Sequence, residues 1–354
     1  MNQSFSKIWI IVILVILIAG GILTWQYFDI PKEEVKTSEI WRIKDLTSNV
    51  EIVARENRLD KDGTDIFIKD LKTTEEDFYI TLFDVGWNYA YARAKFQNGH
   101  LYIIRYEERN LSTGGIEIIS HLWKYSSPKD KGNILFSENG TLDFSVAPNE
   151  SFIAVQSDSD HLTFINPITG GKKDFLQNQF IPDEMFSLRE EFPLGLGRNM
   201  SISLQKWGND SKSFWGTTYL ITSADPPVPS GISVFKVDIE NWETKRFMIS
   251  RNNRTLFGYL SPEVFNLERG AILFESFGEE LSLYYYNFLS KEEKNVVSYP
   301  KEILSKYFSE GCWLHFNSGA SGIDPRDLNP KWIDNNTISY IDFETREEVI
   351  KRIE

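Results

Sequence analysis

Few side chains in this chain are grouped in a way that does chemistry. Four histidines, His100, His121, His161 and His315, stand at scattered single positions, so none forms the His-Glu-x-x-His spacing that puts two imidazoles on one helix face around zinc. The one cysteine, Cys312, lies in the apolar run Gly311-Cys312-Trp313-Leu314. That setting reads as a buried thiol rather than an activated nucleophile, and it excludes an intramolecular disulfide. Gly319-Ala320-Ser321-Gly322 shares letters with a nucleophile elbow but not its spacing, and reads as a loop. There is no phosphate-binding loop and no dinucleotide fingerprint.

Two groupings have spacing that matters. Asp60, Asp62 and Asp65 bracket Gly63, so their oxygens could surround a calcium ion, although no glutamate completes an EF-hand loop. The same residues also form a turn between two strands. Trp87, Tyr89, Tyr91 and Arg93 alternate along an extended segment and share one face. Exposed, that face would be an aromatic strip for peptide or sugar; buried, it is core. No cofactor is expected beyond the calcium alternative.

Composition narrows the class further. A net charge of −13 without a cluster of Lys and Arg argues against a nucleic-acid partner. Aromatic residues make up 14% of the chain, which favours extensive β structure. Ile8 to Trp25 carries no charge and follows Lys7. As a helix it would span about 27 Å, close to a bilayer's hydrocarbon thickness. Trp25 and Tyr27 fit an interfacial aromatic belt, and the apolar run is longer than a cleaved signal's core. Lys7 favours a cytoplasmic N-terminus. Lys32, Lys36, Arg42 and Lys44 count the other way, but large C-terminal domains translocate largely regardless of charge. The expected organisation is a tail over 1–7, a single transmembrane helix over 8–27, a tether over 28–38 and an extracytoplasmic β domain over 39–354.

Within that domain a strand, a polar turn and another strand recur. Glu51–Arg55 and Asp65–Leu71 flank an Asp-Gly turn, a strong hairpin signal. Leu142–Ser151 leads into Phe152–Gln156, then His161–Asn166 and Thr169-Gly170-Gly171. Further copies begin at Leu204, Ala271 and Pro330, and Leu101–Tyr106 with Ile116–Ile119 lies between the first two. Ser145-Val146-Ala147-Pro148-Asn149-Glu150-Ser151-Phe152-Ile153-Ala154 resembles the "S-P-D-G-K-x-I-A" turn of TolB-type β-propeller blades. Trp207 with Asn209-Asp210-Ser211-Lys212 is similar to their "W-S-P-D-S-K" version, and Asp62–Leu71 to their "D-G-x-x-D-I-Y-V-M-D-L" strand. Pro330, Trp332 and Tyr340 resemble a terminal blade. The resemblance covers most of residues 40–354 as a degenerate repeat. Val146-Ala147 adds a residue before Pro148, and Gly208 replaces a serine.

The resemblance implies a ring of sheets, each shielding the next. About 315 residues at about 45–50 per blade give six blades, with seven the alternative. Trp207 and Trp332, at equivalent places in two copies, are expected to fill space between blades. Ile40–Lys44 is expected to pair with the last copy and close the ring. The function implied is a binding or assembly module with a protein partner in the cell envelope. The alternative is a hydrolase-related propeller, either glycan-active or a degenerate peptidase-associated one.

Overall fold

A computed structural model of the chain describes residues 39–353, apart from 46–48, 58–62, 84–92, 111–113, 128–129, 158–160, 185–197, 223–227, 251–254, 257–261, 278–279 and 305–327. The expected helix over 8–27 lies outside the described residues. Among those described, no helix is long and apolar enough to cross a membrane.

The strands form six sheets in strict chain order. Sheet A contains β1 (Glu39–Asp45), β2 (Val50–Glu56), β3 (Gly63–Asp70) and β4 (Glu76–Phe83). Sheet B contains β5 (Ala94–Gln97), β6 (His100–Asn110), β7 (Ile116–Tyr125) and β8 (Asn133–Asn139). Sheet C contains β9 (Leu142–Val146), β10 (Ile153–Ser157), β11 (His161–Ile165) and β12 (Lys172–Leu176). Sheet D contains β13 (Arg198–Trp207), β14 (Ser213–Thr222), β15 (Val228–Asp238) and β16 (Thr244–Ser250). In sheet E, β17 (Thr255–Leu256) and β18 (Phe265–Asn266) both pair with β19 (Ala271–Phe277), which is followed by β20 (Glu280–Asn287) and β21 (Glu292–Pro300). Sheet F contains β22 (Lys331–Trp332), β23 (Thr337–Ile341) and β24 (Glu348–Arg352). Every pairing is antiparallel and, β17 with β19 apart, joins strands consecutive in the chain, the meander that short turns permit.

One expectation is corrected here. Ile40–Lys44 does not pair with the last copy. It lies in β1, which pairs with β2 in the register Arg42↔Val53 and Ile43↔Ile52. A partner a few residues away closes a far smaller loop than one at the other end of the chain, so local pairing wins.

Apolar side chains on the two faces of sheets B, C and D feed two different cores. Ile52, Ala54 and Ile66 of sheet A meet Leu101 and Ile103 of sheet B. Tyr102 and Ile104, on the opposite face of β6, meet Val146, Ile153 and Val155 of sheet C. Phe164 of sheet C packs with Trp207, Phe214 and Phe235 of sheet D. The fourth core joins Trp215 and Val234 of sheet D to sheets E and F. A sheet buried on both faces reads as near-continuous apolar sequence, as β20 does with Leu281–Tyr286 all buried.

The two ends of this array differ. At one, here the turn end, lie the turns between first and second strands and between third and fourth strands. Asp70, Asn166, Asp238 and Asn287 each open a third-to-fourth turn by accepting backbone N–H bonds two or three residues ahead. Left-handed residues complete these turns, namely Thr74 (φ 62°), Gly170 (φ 72°), Trp242 (φ 61°) and Lys291 (φ 60°). The turn-end turns also bond across sheets. Gln97 Nε2 donates to the carbonyls of Ala147 (2.6 Å) and Pro148 (3.1 Å), linking B to C. The amide of Asn149 donates to Ser211 Oγ (3.1 Å), linking C to D. Arg269 Nη1 donates to Asn335 O, Asn336 Oδ1 and Ile353 O, each at 3.1 Å, linking E to F. At the opposite, connection end, the second and fourth strands of the sheets finish and the first and third strands begin.

Candidate functional site

The most developed polar cluster among the described residues lies between sheets B and C, at the turn end. Its centre is Glu150, in the tight turn from β9 to β10. The Ala147 amide donates to Phe152 O (2.9 Å) and the Glu150 amide to Ala147 O (2.8 Å). Glu150 sits at φ 57°, a conformation glycine adopts without cost, and Ser211 (φ 60°) holds the matching place in the β13–β14 turn. This backbone turns the Glu150 side chain toward sheet B.

Three donors from sheet B meet one carboxylate oxygen. Glu150 Oε2 lies 2.5 Å from His100 Nδ1, 2.7 Å from Tyr102 Oη and 3.2 Å from Lys124 Nζ. His100 and Tyr102 are two residues apart on β6 and so share a face, and Lys124 is opposite Tyr102 in the β6–β7 register. Lys124 Nζ also lies 5.3 Å from the centre of the Tyr102 ring. Tyr102 is fully buried and Glu150 is 8% exposed, whereas the His100 side chain is 30% exposed. Glu150 Oε1 is buried and meets no donor among the described residues.

The electrostatics follow from that geometry. Burial works to raise the Glu150 pKa, but the bonds from Tyr102, His100 and Lys124 outweigh it and hold the carboxyl below its ordinary value. Burial, followed by the bond to Glu150, pushes the Tyr102 hydroxyl far above the ordinary tyrosine range. The cluster fixes a negative charge at one point of a sheet–sheet junction. A second buried carboxylate, Glu51 of β2, is 1% exposed, with Arg42 Nη1 at 3.2 Å and Lys69 Nζ at 3.5 Å from its Oε2.

The residues singled out from sequence separate. Asp65 lies on β3, and its Oδ1 accepts from Asn57 Nδ2 (2.8 Å) and Thr81 Oγ1 (2.7 Å), a cross-strand network within sheet A. Asp60 and Asp62 lie outside the described residues. Among those described, no group of three or more His, Cys, Asp or Glu side chains is arranged to hold a metal. Trp87, Tyr89 and Tyr91 lie outside the described residues, as do Cys312 and His315. Arg93, just before β5, is exposed and forms an ion pair with Asp143 of β9, bridging sheets B and C. His121 bonds Ser137 Oγ (2.7 Å) and Glu107 Oε2 (3.2 Å) within sheet B.

Glu150 was not among the sequence candidates. A signal for it existed, since it stands where the "S-P-D-G-K" turn has its glycine. A glutamate tolerated at a left-handed position has a side chain held by something.

The tryptophans behave as expected. Trp207 Nε1 donates to Ser145 O of the preceding sheet (3.1 Å), and Trp332 Nε1 donates to Val264 O, in the 3-10 turn that leads into β18 of its preceding sheet (2.9 Å). Trp207 also meets Phe164 and Phe214 edge-on at 5.9 and 5.1 Å.

No protein-family model matches the chain, and no curated protein sequence does. Solved structures do resemble it. An oligogalacturonate lyase from Vibrio parahaemolyticus aligns with a TM-score of 0.51 at 12% identity, over 87% of this chain and 75% of the lyase. Porphyromonas gingivalis dipeptidyl peptidase 4 aligns with a TM-score of 0.50 at 9% identity, over 90% of this chain and 46% of the peptidase. This chain therefore spans about half of that peptidase. Both neighbours have β-propeller folds, and at such identities the likeness concerns the fold alone. The chain is an all-β protein of the β-propeller class.

Proposed function

We propose that this chain is a membrane-tethered, extracytoplasmic propeller of six blades that recognises a protein partner of the cell envelope through the connection end of its sheets. The observation that carries this reading is the inequality of the two ends. The turn end is built of short turns bonded to one another across sheets. At the connection end, 21 residues of sequence separate the end of β12 from the start of β13, and 30 separate β21 from β22, far more than at any turn of the turn end. Long connections on a rigid scaffold are where recognition surfaces concentrate.

Burial supports a six-blade ring. Ile52 and Ala54 face sheet B, so Glu51 and Val53 face the other way, and both are at most 1% exposed. Ile338 and Tyr340 face sheet E, so Ser339 faces away from it, and it too is fully buried. Sheets A and F packed together would cover both faces. The uncharged run Ile8–Trp25 supports the tether, and the TolB-type resemblance supports a protein partner. A hydrolase-related reading has for support only the named activities of the fold neighbours.

A photo-crosslinking side chain tests the proposal. Placed at Phe83, Asn110 or Glu344, exposed at the connection end, it should trap one and the same envelope protein in intact cells. At Lys72 or Ile168, exposed at the turn end, it should trap none. Capture confined to the turn-end positions, or turnover of oligogalacturonate or a dipeptide substrate by the purified chain, would overturn it.

A further inference from the structure

The face of sheet B that looks toward sheet A carries a second polar array, away from Glu150. Ile103 and Trp123 on that face pack with sheet A. Side chains alternate along a strand, so Glu107 of β6 and His121 of β7 share the face. Ser137 of β8 lies directly opposite His121. β6 and β7 have 11 and 10 residues, against 7 and 8 in β2 and β3, so their far halves run past sheet A toward the connection end. Ser137 is exposed there, and the His121 side chain is 16% exposed.

The hydrogen bonds fix the protons. His121 Nε2 is 3.2 Å from Glu107 Oε2, and its Nδ1 is 2.7 Å from Ser137 Oγ. The bond from Arg109 Nε (2.9 Å), followed by that from His121, holds the Glu107 carboxyl below its ordinary value, so it is ionised at neutral pH. A carboxylate only accepts, so Nε2 carries the imidazole proton. Nδ1 is then an acceptor, and Ser137 Oγ donates to it. A hydroxyl on a base that a third group orients is the arrangement of an activated nucleophile.

The ladder adds an oxyanion donor. The Gly140 amide donates to Ile118 O (2.9 Å). Bonded and non-bonded pairs alternate along an antiparallel ladder, so Ser137 and His121 form a non-bonded pair. Such pairs bring side chains closest, and they turn the Ser137 N–H away from β7. β8 is the last strand of sheet B, so this N–H points off an open edge. There it is placed to bond the oxygen of an acyl group carried on its own Oγ.

We propose that Ser137, His121 and Glu107 form a catalytic array that hydrolyses small carboxylic esters through an acyl-Ser137 intermediate. Ser137 Oγ attacks the ester carbonyl carbon as its proton passes to His121 Nδ1. The bond from that carbon to the leaving oxygen breaks, and the alcohol departs with the proton from Nδ1. Water then attacks the acyl group and gives a proton to Nδ1. The acid leaves as Oγ regains that proton, so one ester and one water give one acid and one alcohol. Glu107 is a positioning residue, since it acts through the imidazole. One backbone donor on an open edge stabilises less charge than an enclosed oxyanion hole, which suits a labile ester rather than an amide. Ile134, opposite Trp123 and so on the same face, is 50% exposed and gives the acyl group an apolar neighbour. This chemistry touches neither glycosidic nor peptide bonds, and it is independent of the partner proposed above.

The test uses the full chain in detergent, with p-nitrophenyl acetate as substrate and a fluorophosphonate as label. The unaltered chain should release a burst of about one p-nitrophenol per chain before slower turnover. Peptide mapping should place both the acetyl and the phosphonyl group on Ser137. Ser137→Ala should abolish the label and lower turnover about a hundredfold, and His121→Gln should lower turnover similarly. The amide in Glu107→Gln donates to Nε2 and selects the wrong tautomer, so labelling should slow at least about tenfold with the thermal midpoint unchanged. Label on other residues with Ser137 unmodified would overturn the proposal. So would equal turnover by the unaltered chain and Ser137→Ala. Such a failure, with cross-linking from Phe83 and Asn110 intact, would remove the array and leave the recognition reading standing.

Discussion

Glu150 combines a strained backbone with a satisfied charge. A non-glycine residue at φ 57° costs on the order of 1 kcal/mol, and the three donors on its Oε2 offset that cost. Replacing Glu150 with Gln keeps the shape but leaves Lys124 without its charged partner. The expected loss is about 2 kcal/mol at pH 7, measured by urea unfolding. The same variant tests the linkage. Because the folded pKa is depressed, the carboxylate's contribution is fully present above the ordinary value of 4.5 and is lost as pH falls through the folded value. The unaltered protein should therefore lose stability on acidification below about pH 4.5 more steeply than Glu150→Gln. Equal slopes would mean that the cluster does not hold the charged form. Asp65 makes a different point at this scale. In sequence it belonged to a trio of carboxylates, but in the fold its oxygen serves Thr81 of β4 and Asn57, just past the end of β2.

The turns are the repeating device among the elements. An Asp or Asn accepts the N–H bonds of the next residues, and a residue four places on turns left-handed. Where that residue is not glycine the backbone is strained, most clearly at Thr74, which is β-branched, exposed and at φ 62°. Thr74→Gly should raise stability by about 1 kcal/mol, the relief of left-handed strain exceeding the extra entropy glycine loses. Arg346, exposed at φ 61° in the turn from β23 to β24, should respond in the same direction. A fall in thermal midpoint for either variant would contradict the strain argument. These elements were largely legible in advance. Asp-Gly, Thr-Gly-Gly and the Asn/Asp-rich corners mark local geometry, and local geometry is written in consecutive residues. The pairing of Ile40–Lys44 was misread because alternation shows that a segment is a strand but not which neighbour it joins.

At the scale of the whole molecule, stability resides between sheets. No sheet can bury an apolar face alone, so the four cores all join one sheet to the next. Trp207 and Trp332 add a fixed link at two of these seams by donating to the main chain in, or leading into, the preceding sheet. Trp207→Phe should cost about 1 kcal/mol for the lost bond, with Ser145 O left without that donor, and Trp207→Ala about 3–5 kcal/mol for the cavity. Trp332, half-buried at its seam, should show the same order with smaller values. Equal effects of Trp207→Phe and Trp207→Ala in thermal unfolding would argue that the ring volume is not what the seam requires.

Sequence alone determined the class. Strand alternation, turn residues and the spacing of Trp207 and Trp332 are short-range properties, and together they specify a series of antiparallel sheets that must cover one another. Tertiary structure decided where polar chemistry is placed. His100, Tyr102, Lys124 and Glu150 are spread over some fifty positions, and only the packing of sheet B on sheet C brings them to one oxygen. The physical reason is distance. Hydrophobic pattern and turn propensity act between near neighbours in the chain, whereas charge and hydrogen bonding act between neighbours in space, which do not exist until the sheets have packed.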